Sequence, residues 1–359
     1  MRVLFISYIE HSGLSSGSEV RTAKMLQAFR EEGHELITLT GWQTAADRVE
    51  KIRGVLREIR RSKPDLCYIE SPTYPIMRHA DRALIRTVHR MGIPIGYFYR
   101  DFYAKFAREF PKRKSLSGWA KDVVLDALQV LTDRCLKNCD IIYLPSMEAA
   151  YLLPFRDMRA LPPAGEDHFV ENRTANKTGI YVGGVVGHYD GMLLLDIFEE
   201  LHRRDPAYEL ILVCREEEWA SISHPCKDAP WLQVFHCTGD DLLQLFGKAG
   251  FALIMCTREY RYNDLAVSVK LFEYLGAGLP QFAINARAMA EILERERIGF
   301  AVEPTVEAFV EAIESLMSDP SRYAALQDNI RRALMGHHLW VHRVRQVVED
   351  LSAYRKNVH

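Results

Sequence analysis

Short, unbroken apolar runs recur along this chain, each followed by a stretch with apolar residues every third or fourth position. Arg2-Val3-Leu4-Phe5-Ile6-Ser7-Tyr8 is the first run, and its continuous hydrophobicity predicts a strand covered on both faces. Residues 19–32 then have helical periodicity, with Val20, Met25, Leu26 and Phe29 inward and Gly33-His34 as the stop. By the same reading, strands are predicted at 35–40, 66–70, 95–99 and 140–145. Helices are predicted at 45–62, 74–91, 122–138 and 147–153. Strand and helix in strict alternation predict a parallel sheet wound with helices, an α/β unit.

The alternation breaks at Leu161-Pro162-Pro163-Ala164-Gly165-Glu166-Asp167-His168-Phe169, where prolines and a glycine precede a polar run. It then restarts. Strands are predicted at 178–182, 210–214, 231–236, 251–256, 281–284 and 299–302, with helices at 192–203, 239–248 and 286–295 between them. The end is helical at 306–317, 321–334 and 339–354. The chain therefore divides into a Rossmann-like domain at 1–165, a second at 166–338 and a C-terminal helix at 339–359. A length of 359 residues suits two domains. Sheets of this class bind ligands at the carboxyl ends of their strands, so two of them offer a cleft between facing edges.

A formal net charge of −2 removes any global electrostatic case for nucleic acid. Seven cysteines, an odd number with no CxxC pair, point to reduced thiols in the cytoplasm and to neither a disulfide frame nor a zinc site. Cys135 and Cys139 share a helix face without a second ligand pair, so core packing is expected. The first apolar run is only a strand's length, and no signal peptide or membrane span is predicted. Residues 103–121 interleave Lys105, Arg108, Lys112, Arg113, Lys114 and Lys121 with Tyr103, Phe106, Phe110 and Trp119. Such a patch could rest on the inner face of an anionic membrane or hold an anionic lipid-linked acceptor; it could equally be a solvated loop with aromatic anchors.

The most chemically pointed stretch is 268–280. Ser268 can cap a short helix, Gly276 and Gly278 loosen its end, and Pro280 stops it. Lys270, Glu273 and Tyr274 fall on one face, a cation and a carboxylate beside the free N–H groups of a helix start. That combination suits phosphates and hydroxyls. An ordinary surface ion pair is the alternative. Elsewhere, Ser16 and Gly17 lie in a Ser/Gly loop after the first strand, though the GxGxxG dinucleotide fingerprint is absent from both halves. Arg100 and Asp101 follow a buried strand directly and so should face the cleft; a local ion pair is the alternative. Gly183-Gly184 turns the chain after the strand at 178–182, and Arg215 ends the next.

Taken together, these residues resemble GT-B fold glycosyltransferases, in particular retaining glycosyltransferase family 4. Tyr181-Val182-Gly183-Gly184 resembles the family's first donor-domain strand. Leu161-Pro162-Pro163-Ala164-Gly165-Glu166-Asp167 resembles its interdomain stretch, and residues 269–280 its KxxEYMAxGxP segment. Leu339-Trp340 and the helix after it resemble the helix that crosses back to the first domain.

The resemblance implies transfer of a sugar from a nucleotide-sugar, by family frequency a UDP-sugar, to a glycan, lipid-linked or small-molecule acceptor. Glu273 would hold ribose hydroxyls. Lys270 and Arg215 would neutralise the diphosphate, helped by N–H groups near Gly183, Gly184 and Leu271. Ser16 and Gly17 would close over the phosphates, and Asp101 would face the sugar or acceptor. The family often has a second glutamate eight residues before the one matching Glu273; Leu265 stands there. Either Asp264 substitutes after a one-residue shift, or the sugar is held differently. With neither a DxD pair in a suitable loop nor an HxH pattern, no metal or other cofactor is expected. An inverting reaction would make Asp101 the base. A GT-B sugar-nucleotide epimerase and a catalytically weak partner subunit are the alternatives.

Overall fold

The computed structural model describes residues 1–9, 17–100, 106, 116–171 and 173–356. They fall into two compact units, Met1–Pro163 with Trp340–His359, and Ala164–Leu339. Ser16, Asp101 and, of the basic stretch at 103–121, residues 103–105 and 107–115 lie outside the described residues; Phe106 is buried.

In the first unit the elements are β1 (Arg2–Ile6), α1 (Gly17–Glu31), β2 (Glu35–Leu39), α2 (Arg48–Arg61), β3 (Leu66–Glu70), α3 (His79–Arg90), β4 (Ile95–Phe98), α4 (Leu116–Leu136), β5 (Ile141–Leu144) and β6 (Met158–Ala160). The six strands are parallel in the order β2-β1-β3-β4-β5-β6. The chain doubles back between β1 and β3, so ligand-facing residues of this sheet belong at the ends of those two strands. Val3, Leu4 and Phe5 are wholly buried, as continuous hydrophobicity requires of a strand covered on both faces.

Two buried ion pairs sit at that edge. Arg48, fully buried, donates to Asp81 at 2.9 and 3.0 Å and to the carbonyls of Ser7 and Gly41 at 3.1 and 3.0 Å, tying together the chain leaving β1 and β2. Arg21 lies over the Phe98 ring at 3.5 Å and donates to Glu70, the last residue of β3, at 3.2 Å. The last helix, Trp340–Lys356, completes this unit. Its Arg345 reaches Glu32 at 2.8 Å, and its Asp350 accepts from the Tyr143 hydroxyl at 3.1 Å. Gly96 on β4 leaves room for it: a Cβ there would come within 3.2 Å of Leu351.

In the second unit the elements are β7 (Thr178–Val182), α5 (Gly191–Arg204), β8 (Glu209–Val213), α6 (Glu216–Ser221), β9 (Leu232–Phe235), α7 (Asp240–Lys248), β10 (Phe251–Ile254), α8 (Val269–Gly276), β11 (Gln281–Ile284), α9 (Arg287–Glu296), β12 (Gly299–Val302), α10 (Val306–Met317) and α11 (Pro320–Ala333). The six parallel strands run β12-β11-β10-β7-β8-β9. That is the doubly wound dinucleotide-fold order, and its reversal point lies between β7 and β10. The core there is aromatic: Phe198 and Phe251 stack at 6.1 Å across Gly179, where a Cβ would sit 2.4 Å from the Phe198 ring.

The structure corrects several expectations. α3 begins at His79, because residues 74–78 around Pro75 form a loop pinned by Ile76 N–H to Thr132 Oγ1 at 3.0 Å. Residues 147–152 are a 3₁₀ turn. α4 starts at Leu116, six residues before the position the periodicity suggested. The short half-buried edge strand β6, the six-residue α6, and a π-helical turn at Leu334–His338 had no signal in the hydrophobic pattern. All seven cysteines are free thiols. Among the described residues no helix is long and apolar enough to cross a membrane.

Removing Asp81 strands a buried guanidinium. Asp81→Ala should lower the unfolding free energy of the first unit by about 3–5 kcal/mol in urea, whereas Arg48→Met with Asp81→Leu should recover most of the loss. An equal loss in the single and double variants would mean that the pair itself, and not the stranded charge, accounts for the effect.

Candidate active site

The site is built at the reversal point of the second sheet. β7 ends in Val182, and Gly183 turns with φ 141°, a conformation that L side chains rarely adopt. Lys270, in the first turn of α8, reaches across into the space above it. A Cβ on Gly183 would lie 1.9 Å from Lys270 Nζ, so the amine occupies the volume a side chain would fill. Nζ stands 4.8 Å from the centre of the Tyr181 ring and 4.3 Å from that of Tyr189, and it donates to Tyr181 Oη at 3.4 Å. Tyr181 Oη in turn donates to Gly184 O at 2.5 Å. Gly184 is needed as well, since a Cβ there would meet the Tyr189 ring at 2.4 Å.

Burial among these rings lowers the Lys270 pKa to about 8. The negative charges of Glu273 and Glu218 pull the other way without making up the difference. The amine is thus a cation at neutral pH whose surroundings leave it under-compensated.

α8 is held firmly. Ser268 Oγ accepts from Lys270 N–H at 3.3 Å, the predicted cap. Tyr274 Oη accepts from Val182 N–H at 2.9 Å, which joins the helix to the end of β7. Gln281, fully buried on β11, donates to Leu271 O at 2.9 Å, and Gln327 donates to Gly278 O at 2.6 Å. Gly278 has φ 75°, and Phe169 packs where its Cβ would be.

The other sequence-derived candidates are placed as follows. Glu273 is half-buried on the same helix as Lys270, one turn on. Arg215 stands at the residue before α6 and pairs with Glu218 at 2.6 Å. Leu271 is wholly buried in the core, and its N–H bonds to Ser268 O, so it presents no group to a ligand. Asp264 ends the 3₁₀ turn Arg261–Asp264 beside Cys256, whose thiol burial pushes up to about 11, with Asp264 adding to the rise. Leu265 is buried, 4% exposed. Gly17 opens α1 in the first unit. Arg100 there follows β4 by two residues, with its N–H on Ser71 Oγ at 3.1 Å and its Nη2 on Thr73 Oγ1 at 3.0 Å.

Two contributors escaped the sequence reading. Tyr189 roofs the amine. Glu218 binds Arg215 with one oxygen and Val185 N–H with the other, at 2.9 Å, and so shapes the Gly183-Gly184 loop. A tyrosine closing a glycine-rich loop and a Glu-rich first turn after a strand are the signals that could have suggested them.

Residues 195–349 match a family model described as glycosyl transferase-like. A solved glycosyltransferase from Rickettsia africae ESF-5 superimposes with a TM-score of 0.66 at 12% identity, covering 99% of both chains. WaaG, a glycosyltransferase involved in lipopolysaccharide biosynthesis, gives 0.62 at 13% identity, covering 96% of this chain and 98% of its own. An alpha-glucosyltransferase in complex with UDP and a 13-mer DNA gives 0.65 at 12% identity, covering 98% of this chain and 100% of its own. This chain has the GT-B glycosyltransferase fold. A search of curated proteins finds no match. In this GT-B chain the stretch matching the glycosyl transferase-like model contains α8, with Lys270 and Glu273, and α6, with Glu218.

Labelling with an amine reagent, read by peptide mapping, should give Lys270 a half-maximal rate near pH 8. Glu273→Gln should move that midpoint lower, because the carboxylate favours the charged amine. A midpoint above 10 in the native protein would show that burial does not depress it.

Proposed function

We propose that this chain transfers a sugar from a UDP-sugar to a glycan or lipid-linked acceptor, with retention and without a metal. The observation that carries the reading is the Lys270 amine held over Gly183 at the reversal point of the second sheet. Breaking a glycosidic bond to a diphosphate builds negative charge on the departing phosphate. A preorganised, under-compensated ammonium next to backbone that no side chain covers suits that charge. Glu273, one turn further along the same helix, is assigned to the ribose hydroxyls. Arg215 adds a second cation nearby. UDP is favoured because a structural neighbour binds it. Retention and the closer likeness to family 4 rest on the segment at 269–280. In a retaining front-face reaction the leaving phosphate itself can take the acceptor proton, so the enzyme needs no strong base. Arg100 and Asp101 are assigned to the sugar or acceptor side, with Asp264 beside the sugar, and Ser16 and Gly17 to closure over the phosphates.

Leu265 supports a second reading, a catalytically weak homologue. Its side chain is buried where the resembled family often places a glutamate against the donor sugar. Hydrolysis of a panel of nucleotide-sugars separates the two: turnover of any donor supports the transferase, and binding without turnover the weak homologue.

UDP should raise the melting temperature; at a hundredfold excess over Kd the stabilisation is about 2.7 kcal/mol. The shift should weaken as pH rises through about 8, where the amine loses its proton. Lys270→Ala and Glu273→Ala should abolish it, and Lys270→Ala should slow transfer on the order of 10²–10³-fold. An undiminished UDP shift in both variants would overturn the assignment.

An acceptor linked to lipid fits one further feature. Val123, Val124, Ala127, Val130 and Leu131 form an exposed apolar face on α4, continuous in sequence with the basic stretch at 103–121. We assign this helix to contact with an anionic membrane surface. The protein should co-sediment with phosphatidylglycerol-containing vesicles at low salt, and Val124→Glu with Leu131→Glu should release it. Indifference to both lipid charge and these substitutions would remove the membrane from the proposal.

A further inference from the structure

We infer that the second unit carries a zinc-type metal site formed by Glu296, His337 and His338. One ligand atom from each of the three lies within 4.8 Å of the others. Glu296 ends α9, and its carboxylate faces both imidazoles: Oε2 stands 2.9 Å from His337 Nε2, and Oε1 stands 3.5 Å from His338 Nε2. Successive residues of a regular α-helix point about 100° apart and do not face a common point. Here they converge because Leu334–His338 is a π-helical turn, which brings the two rings to 4.5 Å between centroids. Such widened turns recur at functional sites.

The ligand set is chemically apt. Two imidazoles and one carboxylate, with further positions open to water, suit zinc and other late divalent metals better than magnesium or calcium. The site has an inside and an outside. His338 is 3% exposed and packs on Phe272 of α8 at 5.3 Å, whereas His337 is half exposed and leaves an entry path. Arg295 shares Glu296 at 3.1 Å but also holds Glu291 at 2.8 Å, so it can release the carboxylate without losing a partner. Phe272 lies on the helix that carries Lys270 and Glu273, on the side turned toward the core. A metal here would brace that helix from behind. The site is separate from the proposed reaction and does not depend on it.

The test uses the full-length, untagged chain. After chelator treatment and dialysis against zinc, elemental analysis should find about one zinc per chain. His337→Ala and Glu296→Gln should each lower the affinity at least tenfold, since even outer-shell losses cost about that much. Cobalt should give visible d–d bands without thiolate charge transfer, as expected for nitrogen and oxygen ligands. His337→Ala alters an exposed residue, and a native circular dichroism spectrum checks that it is folded. Absence of stoichiometric uptake overturns the proposal. So does uptake that survives both variants, or uptake abolished by His224→Ala, which would place the metal at the other candidate cluster, Asp196, Glu199 and His224.

Discussion

A lysine amine fills the space that a side chain on Gly183 would need, and the second unit is arranged to hold it there. Placing an ammonium among tyrosine rings removes it from water, which costs free energy. Two aromatic faces at 4.3 and 4.8 Å return part of that, on the order of 0.5–2 kcal/mol for each well-placed ring. The remainder appears as a pKa lowered to about 8. An amine in that condition gains more from an approaching dianion than a fully hydrated surface lysine would. The φ of 141° favours glycine at 183, and a Cβ at 184 would have to push Tyr189 aside.

The support for this arrangement is as informative as the amine. α8 is only eight residues long, too short to be stable alone. Its position is set from outside by Tyr274 on Val182, by Gln281 on Leu271 and by Gln327 on Gly278. Arg173 adds a bond to Ala277 O at 2.9 Å. The carbonyls at the end of α8 are taken up by backbone N–H groups, Glu273 O by Ala277, Tyr274 O by Leu279, Leu275 O by Gly278 and Gly276 O by His168. A functional side chain on such a clamped element holds its place to within the small tolerances that charge stabilisation requires.

The alternation of apolar runs made the α/β class and most elements legible. Strand order was not, because hydrophobic pattern does not say on which side of a sheet the chain returns. The residues around α8 were readable because cap, periodicity and glycine stop agree over 268–280. Leu271 neighbours Lys270 in sequence, but one helical step turns its side chain about 100° into the core. Tyr189 and Glu218 come from a loop and from a six-residue helix with no buried position, where neither period operates. The π-helical turn escaped for a similar reason: its sequence, Leu334-Met335-Gly336-His337-His338, continues the pattern of α11.

The two reversal points differ in how their buried cations are matched. In the first sheet the cation at the edge is already neutralised: Arg21 meets Glu70 at 3.2 Å, and Glu70 also accepts from Tyr68 Oη at 2.6 Å. Arg48, the next buried cation there, is matched by Asp81. An incoming phosphate would have to compete with carboxylates held in low dielectric, and separating such a pair costs several kcal/mol. In the second sheet the nearby carboxylates do not offset the burial of Lys270, which leaves that amine under-compensated. Among the described residues, the under-compensated buried cation therefore lies at the reversal point of the second sheet, while Arg21 and Arg48 at the first are matched by carboxylates.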